Sequence, residues 1–173
     1  MIDNVILIDD QDQEVGTMEK MEAHRKGLLH RAFSIFVFNS EMKLLLQKRA
    51  KSKYHSHSLW TNTCCSHPRP DEDLISAARR RLMEEMGFIC ELNEIFVFQY
   101  KAELDNHLIE NEIDHVLVGK YDGNPTPNPD EVSDYAWISL SDLVNLVRDH
   151  PQEYTYWLKK SLDRVAAACL SGL

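Results

Sequence analysis

Nowhere does this 173-residue chain hold an apolar run long enough to cross a bilayer. Its first residues, Met1-Ile2-Asp3-Asn4, carry neither the basic segment nor the apolar run of a secretion signal, so a cytoplasmic protein is expected. Basic charge is scarce: 19 Lys and Arg stand against 28 Asp and Glu, for a formal net charge of -9. Nucleic-acid binders usually present a basic surface, so that class is disfavoured. An anion could be held only where the few cations converge. Cysteine is sparse too. The four are Cys64, Cys65, Cys90 and Cys169, with no CxxC pair and no zinc-ribbon spacing. Adjacent Cys64 and Cys65 are poorly placed to bond each other, which points to reduced thiols in a reducing compartment. Repeats, low-complexity tracts and linker-like composition are all missing. Residues 1–173 therefore read as one domain, and 43% hydrophobic residues suffice for a real core.

What is present alternates between strand and helix signals. Residues 5–8 form a short apolar run ended by Asp9-Asp10, and residues 18–24 are helix formers. Residues 31–38, aromatic and β-branched, predict a central strand; Asn39-Ser40 turns the chain, and residues 43–49 pair back as a hairpin. A basic, polar loop covers residues 51–58. Pro70 to Asp73 opens a helix with acids in its first turn. It runs to Met86 and stops at Gly87, with Leu74, Ala78 and Leu82 as the buried stripe. Residues 95–100 and 110–121 read as strands joined by a polar connection over 101–108, and Glu110, Glu112 and Asp114 then share one face. Residues 135–138 predict a last strand. A helix capped by Ser139 or Ser141 follows, then a final helix carrying Trp157 and ending near Cys169.

Residues 60–68, Trp-Thr-Asn-Thr-Cys-Cys-Ser-His-Pro, put two thiols and an imidazole beside a Trp and an Asn. Pro68 pushes His67 away from helix, so the stretch is a rigid loop or strand end of the kind that carries chemistry. Adjacent side chains on an extended segment point opposite ways. If one of Cys64 and Cys65 faces a cavity, the other faces the core. On the following helix, Arg81 and Glu85 stand four apart on one face, as do Arg80 and Glu84. On an arbitrary helix such pairs are solvated salt bridges. The functional alternative is a carboxylate for a hard cation beside an Arg fork for phosphate.

Spacing separates the two. Over residues 66–88, Glu72, Arg80, Leu82, Glu84, Glu85, Gly87 and Phe88 fall in register with the Nudix box. Ser66 stands at the box's first Gly, and Arg81 at the Glu that follows the box Arg. With this degenerate box come residues 61–68, Glu110-Asn111-Glu112, Gly16-Thr17-Met18-Glu19-Lys20 with His24 and His30, and Lys48-Arg49-Ala50 with Lys53. In that combination the chain resembles type I isopentenyl-diphosphate isomerase over most of its length, thinning after about Ser141. The resemblance implies a Nudix-like α/β fold, a mixed sheet flanked by helices. It also implies reversible 1,3-allylic proton transposition between isopentenyl and dimethylallyl diphosphate.

The resemblance further implies roles at matching positions. A divalent metal would sit among His24, His30, His67, Glu110 and Glu112; imidazoles with carboxylates suit a borderline ion such as Mn²⁺ or Zn²⁺. Taken singly, each of these histidines reads as structural or surface, as do His55, His57, His107, His115 and His150. The two glutamates alone read as a solvated strand edge. Cys65 matches the catalytic cysteine, leaving Cys64 as a buried structural thiol and Cys90 and Cys169 inert. Lys20, Arg49, Lys53 and Arg81 would bind the diphosphate, and Mg²⁺ would bridge it to Glu85 and the main-chain carbonyl of Cys65. Tyr100 matches a tyrosine against the catalytic glutamate, and Trp157 a tryptophan over the carbon skeleton; Trp60 and Trp137 are expected in the core. The implied partner is a small prenyl diphosphate bound by a monomer, with no nucleic acid and no membrane.

The chemistry suits these residue types. Protonating an unactivated alkene makes a tertiary carbocation that water would trap, so the site must exclude water. A π face can add about 2 kcal/mol or more when desolvated. Two proton carriers are needed, one on each face of the skeleton, and Cys65 and Glu112 are the pair. One alternative is a Nudix hydrolase of a nucleoside or prenyl diphosphate. Arg81 at a metal-holding Glu position, and Cys65 and His67 at the box entry, disfavour it. The other is a non-catalytic metal- or ligand-binding module.

Overall fold

A computed structural model describes residues 3–170 of the chain. Its centre is strand β3, His30–Phe38, in which every residue but Arg31 is buried. Strand numbers follow chain order: β1 is Asn4–Ile8, β2 Glu14–Glu19, β4 Lys43–Arg49, β5 Trp60–Thr61, β6 Cys64–Ser66, β7 Leu92–Glu103, β8 Ile109–Lys120 and β9 Val132–Ser139. Along one edge β3 runs parallel to β8, from His30↔Glu112 to Phe38↔Lys120, and β7 lies antiparallel outside β8. Along the other edge it meets three partners in turn. These are Leu7 of β1 at His30, β6 at residues 33–35, and β4 at Phe38 alone. The result is a mixed sheet.

That sharing corrects the expected hairpin. The backbone edge of residues 33–35 is already paired with β6, so β4 must satisfy its own backbone elsewhere. It leaves β3 after Phe38↔Leu44 and pairs along its length with β9, some ninety residues on, and at Gln47 and Lys48 with β5. Two boundaries also move. Met18 and Glu19 lie in β2, where pairing with Val5 and Asn4 overrides their helix propensity. Helix α1, Lys20–Lys26, starts only at Lys20, where the Glu19 carboxylate accepts the amides of Met21 and Glu22. The polar connection over 101–108 begins late, because Lys101, Ala102 and Glu103 continue β7 against β8.

Helix α2, Leu74–Met86, is capped by Asp73, whose carboxylate accepts the amide of Ser76; Asp71 and Glu72 precede the helix rather than filling its first turn. It ends at Gly87 with φ 75, where a Cβ would also meet the Thr126 carbonyl at 2.4 Å, so glycine is required there. Helix α3, Leu140–Asp149, is capped by Ser139, and α4 covers Tyr156–Leu170. Alternation along β3 feeds two cores. Phe33, Ile35 and Val37 pack with Ala77, Ala78, Leu82 and Met86 of α2, while Leu74 is partly buried. Phe36 and Phe38 pack on the opposite face with Leu143 of α3 and Leu158, Leu162 and Val165 of α4. Trp60 and Trp137 are only partly buried against these cores, whereas Trp157 is 3% exposed. Among the described residues, no helix is long and apolar enough to cross a membrane.

Candidate active site

The face of β3 and β8 that packs on α4 changes character along its length. On β8, Val118 and Val116 belong to the core, and the same alternation then presents Asp114, Glu112 and Glu110. On β3, Phe38 and Phe36 give way to Ser34, Ala32 and His30. Register joins the polar ends: His30 stands opposite Glu112, and Glu112 opposite Tyr100 of β7, in one row across three strands. Glu110 and Glu112 are each 4% exposed, which overturns the solvated-edge view of this pair.

Three histidines close over this row. His24 of α1 and His30 are fully buried, and His67 follows β6. Their ring centroids lie 4.8 to 5.6 Å apart. His24 Nδ1–H donates to the Lys20 carbonyl at 2.7 Å and His30 Nδ1–H to the Leu28 carbonyl at 2.8 Å, so each ring turns an Nε2 lone pair inward. Neither Nε2 has a hydrogen-bond partner. His67 Nε2 lies 2.9 Å from Glu112 Oε1; His30 Nε2 lies 3.3 Å from that same oxygen, off the hydrogen-bond direction. One ligand atom from each of His24, His30, His67 and Glu112 falls within 4.8 Å of all the others, and His24, His55 and Glu110 form a second such group. Buried imidazole lone pairs facing carboxylates fit a divalent ion. Burial, reinforced by His30, pushes His24 down to about 4. Burial also pushes His67 down to about 4, against the pull of Glu112. Both are neutral, as ligands must be. Burial acts to raise the pKa of Glu112, but His30 and His67 outweigh it and hold this carboxyl well below the usual range.

Tyr100 binds the two carboxylates together. Its hydroxyl lies 2.7 Å from Glu110 Oε2 and 2.6 Å from Glu112 Oε2. One phenolic hydrogen cannot serve both, so the pair also needs a carboxyl proton or a cation. Burial, with the two glutamates, pushes the Tyr100 phenol well above its ordinary value and keeps it a donor.

The thiols separate by register. Cys64 pairs with Ile35 and is fully buried in the α2 core; Cys65 pairs with Ser34 and lines the cleft with Glu112, Tyr100 and Trp157. Burial pushes the Cys65 thiol up to about 12, with Arg49 opposing and Glu85 reinforcing. At neutral pH it therefore carries its proton.

The cationic residues line the same cleft: Lys20, Arg49, Lys53 and Arg81. Each already has partners. Lys20 Nζ lies 3.1 Å from Asp3 and 4.9 Å above the Tyr54 ring. Arg49 donates to the carbonyls of Ser56 and His55 at 3.1 Å each, and its guanidinium lies 5.4 Å from the Trp157 ring centre. Lys53 meets Glu131. Arg81 lies 2.5 Å from Glu84, 2.5 Å from Glu85 and 3.2 Å from Glu131. Glu85, 2% exposed, also accepts from Gln47 Nε2 at 2.7 Å and borders the cleft beside Cys65.

The NUDIX domain family model matches residues 28–160. An isopentenyl-diphosphate Delta-isomerase 1 of Aromatoleum aromaticum is 58% identical over 167 residues, 96% of this chain and 94% of that protein. The chain belongs to the isopentenyl-diphosphate Delta-isomerase family, within the NUDIX fold. An isopentenyl-diphosphate Delta-isomerase 2 of Photorhabdus laumondii is 53% identical over 92% of the chain and 90% of its own length. The isomerase of Burkholderia multivorans is 49% identical over 98% and 97%. In solved structures the fold recurs at lower identity. DR0079 of Deinococcus radiodurans gives a TM-score of 0.78 at 18% identity, covering 93% of this chain and 98% of that one. A MutT protein of Methanosarcina mazei gives 0.66 at 18%, covering 81% and 94%.

In this member of the isomerase family, three residues in or beside the cleft escaped the sequence reading. His55, taken for a structural or surface histidine, is 2% exposed, and its Nε2 lies 3.2 Å from Glu110 Oε1. Tyr54 sits beneath Lys20 and edge-on to His55. Glu131 bridges Lys53 and Arg81; burial works to raise its carboxyl, but those two cations hold it below the usual range. A Tyr-His pair next to Lys53 in the 51–58 loop was the one available signal. Nothing local marked Glu131.

Proposed function

We propose that this isomerase interconverts isopentenyl and dimethylallyl diphosphate with Cys65 and Glu112 as its two proton carriers. The observation supporting the assignment is their shared cleft: a protonated thiol and an ionised carboxylate face one cavity, beside Tyr100 and the buried ring of Trp157. Lys20, Arg49, Lys53 and Arg81 hold the diphosphate at one end, so the five-carbon tail reaches toward Cys65 and Trp157. One carrier gives its proton to the terminal alkene carbon, and the alkene π pair forms the new C–H bond. The tertiary cation left behind lies against the Trp157 π face. The second carrier removes an allylic proton, and that C–H pair becomes the new double bond. The proton then sits on the second carrier and must return before the same direction runs again. In the reverse reaction the two exchange roles, so each is an acid in one direction.

Buried walls keep water from the cation, and Tyr100 fixes the Glu112 carboxylate toward the cavity. His24, His30, His67, Glu110 and Glu112 would hold Mn²⁺ or Zn²⁺, and Glu85 with the Cys65 carbonyl would hold Mg²⁺ against the diphosphate. When bound, these ions supply positive charge that balances the phosphates and adjusts the acidity of Glu112. The enzyme acts in the cytoplasm, where Cys65 stays reduced, as a monomer. Conversion of isopentenyl diphosphate, followed by NMR, tests the assignment. Cys65→Ala and Glu112→Gln should each fold and lose turnover. Normal turnover by Cys65→Ala ends the proposal, and release of phosphate or pyrophosphate by the unmodified enzyme marks a hydrolase instead.

A further inference from the structure

One buried imidazole of the cluster has no task in the set above. His55 is 2% exposed, its Nε2 has no hydrogen-bond partner, and it lies 3.2 Å from Glu110 Oε1. The ring is held in place. Its Nδ1 is 3.3 Å from Ser56 Oγ, Arg49 grips the His55 carbonyl at 3.1 Å, and the Trp157 ring stands edge-on at 6.0 Å. A rigid, desolvated nitrogen without a partner is costly unless something binds it. The ligand atoms of His55, His24 and Glu110 lie within 4.8 Å of one another.

We infer that His55 is a fourth imidazole ligand of the metal centre, in addition to His24, His30 and His67. This rests on the reading that the centre holds a divalent ion. The cluster divides into two groups that share His24. His24 commits Nδ1 to the Lys20 carbonyl and has one lone pair left, so it cannot serve two ions at once. A single ion held by His24 would therefore draw its donors from both groups, the side chains closing in on it. Four imidazoles with Glu110 and Glu112 make six donors, enough for a six-coordinate ion of the Mn²⁺ type. Structural zinc sites close at four. Held by these six side chains, such an ion would supply positive charge beside Glu112.

The test uses the purified full chain, stripped with chelator and reloaded with Mn²⁺. Pulsed EPR counts imidazole nitrogens on the ion, and competition with a coloured chelator gives its affinity. Four nitrogens are expected in the unmodified protein, and three in His55→Gln with affinity lower by about tenfold or more. His57→Gln, in the same loop, should match the unmodified protein in both. Three nitrogens in the unmodified protein, or unchanged affinity in a folded His55→Gln, overturns the inference. The count on the unmodified protein decides the matter even if the variant fails to fold. Absence of any Mn²⁺ binding removes the metal reading itself, and this inference with it.

Discussion

Glu131 stands between two cations assigned to the substrate: one carboxylate oxygen meets Lys53 and the other lies 3.2 Å from Arg81 Nη2. A carboxylate held by both occupies the seat of a phosphate, so an incoming diphosphate must displace it. Glu131→Gln removes one negative charge, which a phosphate held by the same two cations would face at a separation taken as about 5 Å. For side chains 15% to 23% exposed, an effective dielectric near 40 gives roughly 1.7 kcal/mol, or somewhat more than tenfold in affinity. Arg81 should keep its place in the variant, because Glu84 and Glu85 hold it at 2.5 Å each. Titration calorimetry with inorganic pyrophosphate and Mg²⁺ should therefore show about tenfold tighter binding in Glu131→Gln, with a lower KM for isopentenyl diphosphate. Equal or weaker pyrophosphate binding in a folded variant refutes the reasoning. It would mean that Glu131 arranges the cations rather than competing for them.

Cys64 faces the α2 core, so Cys64→Ala should lose about 1 kcal/mol of stability for the sulfur-sized void and keep near-normal turnover. Melting curves and the isomerase assay check both; a folded but inactive Cys64→Ala would transfer the thiol role away from Cys65. Chelator-treated protein should lose stability in acid. His24 and His67 titrate at about 4 when folded, while unfolded imidazoles take up protons near 6.5. The loss therefore begins below pH 6.5 and levels off below about 4, at up to roughly 3 kcal/mol for each ring. His30 works the other way. Its pKa is raised, because the ionised Glu112 outweighs burial, and that contribution is present at low pH and fades as pH rises. Denaturant melts at pH 7 and 4.5 settle the sign, and a flat or rising stability on acidification contradicts it.

Part of the candidate site could be read from local cues, and the rest of its residues came from the family resemblance. Period-two alternation alone placed Glu110, Glu112 and Asp114 on one face, and the same rule split Cys64 from Cys65. Gly87 marked the end of α2, whereas its start, expected at Pro70 to Asp73 with acids in the first turn, falls at Leu74 with Asp73 as the cap. What escaped reading depends on distant pairing. Neither β4 nor β6 declares that β6 takes the middle of β3's edge, sending β4 to β9. Met18 and Glu19 look helical until β1 pairs with them. His55 sits in a polar loop, and its burial comes from Arg49 gripping that loop's carbonyls and from Trp157 in α4. Glu131 became visible only when the chain before β9 was brought beside α2, where the Asn128 amide donates to the Glu85 carbonyl at 2.9 Å.

The account turns on a proton passing through the substrate between Cys65 and Glu112. Deuterium uptake into isopentenyl diphosphate from D₂O, read by NMR, measures that passage directly. The unmodified enzyme should place deuterium at both the terminal and the allylic carbon. Cys65→Ala and Glu112→Gln should place none while still binding pyrophosphate. Exchange at the unmodified rate in either variant would contradict the pairing of these two residues.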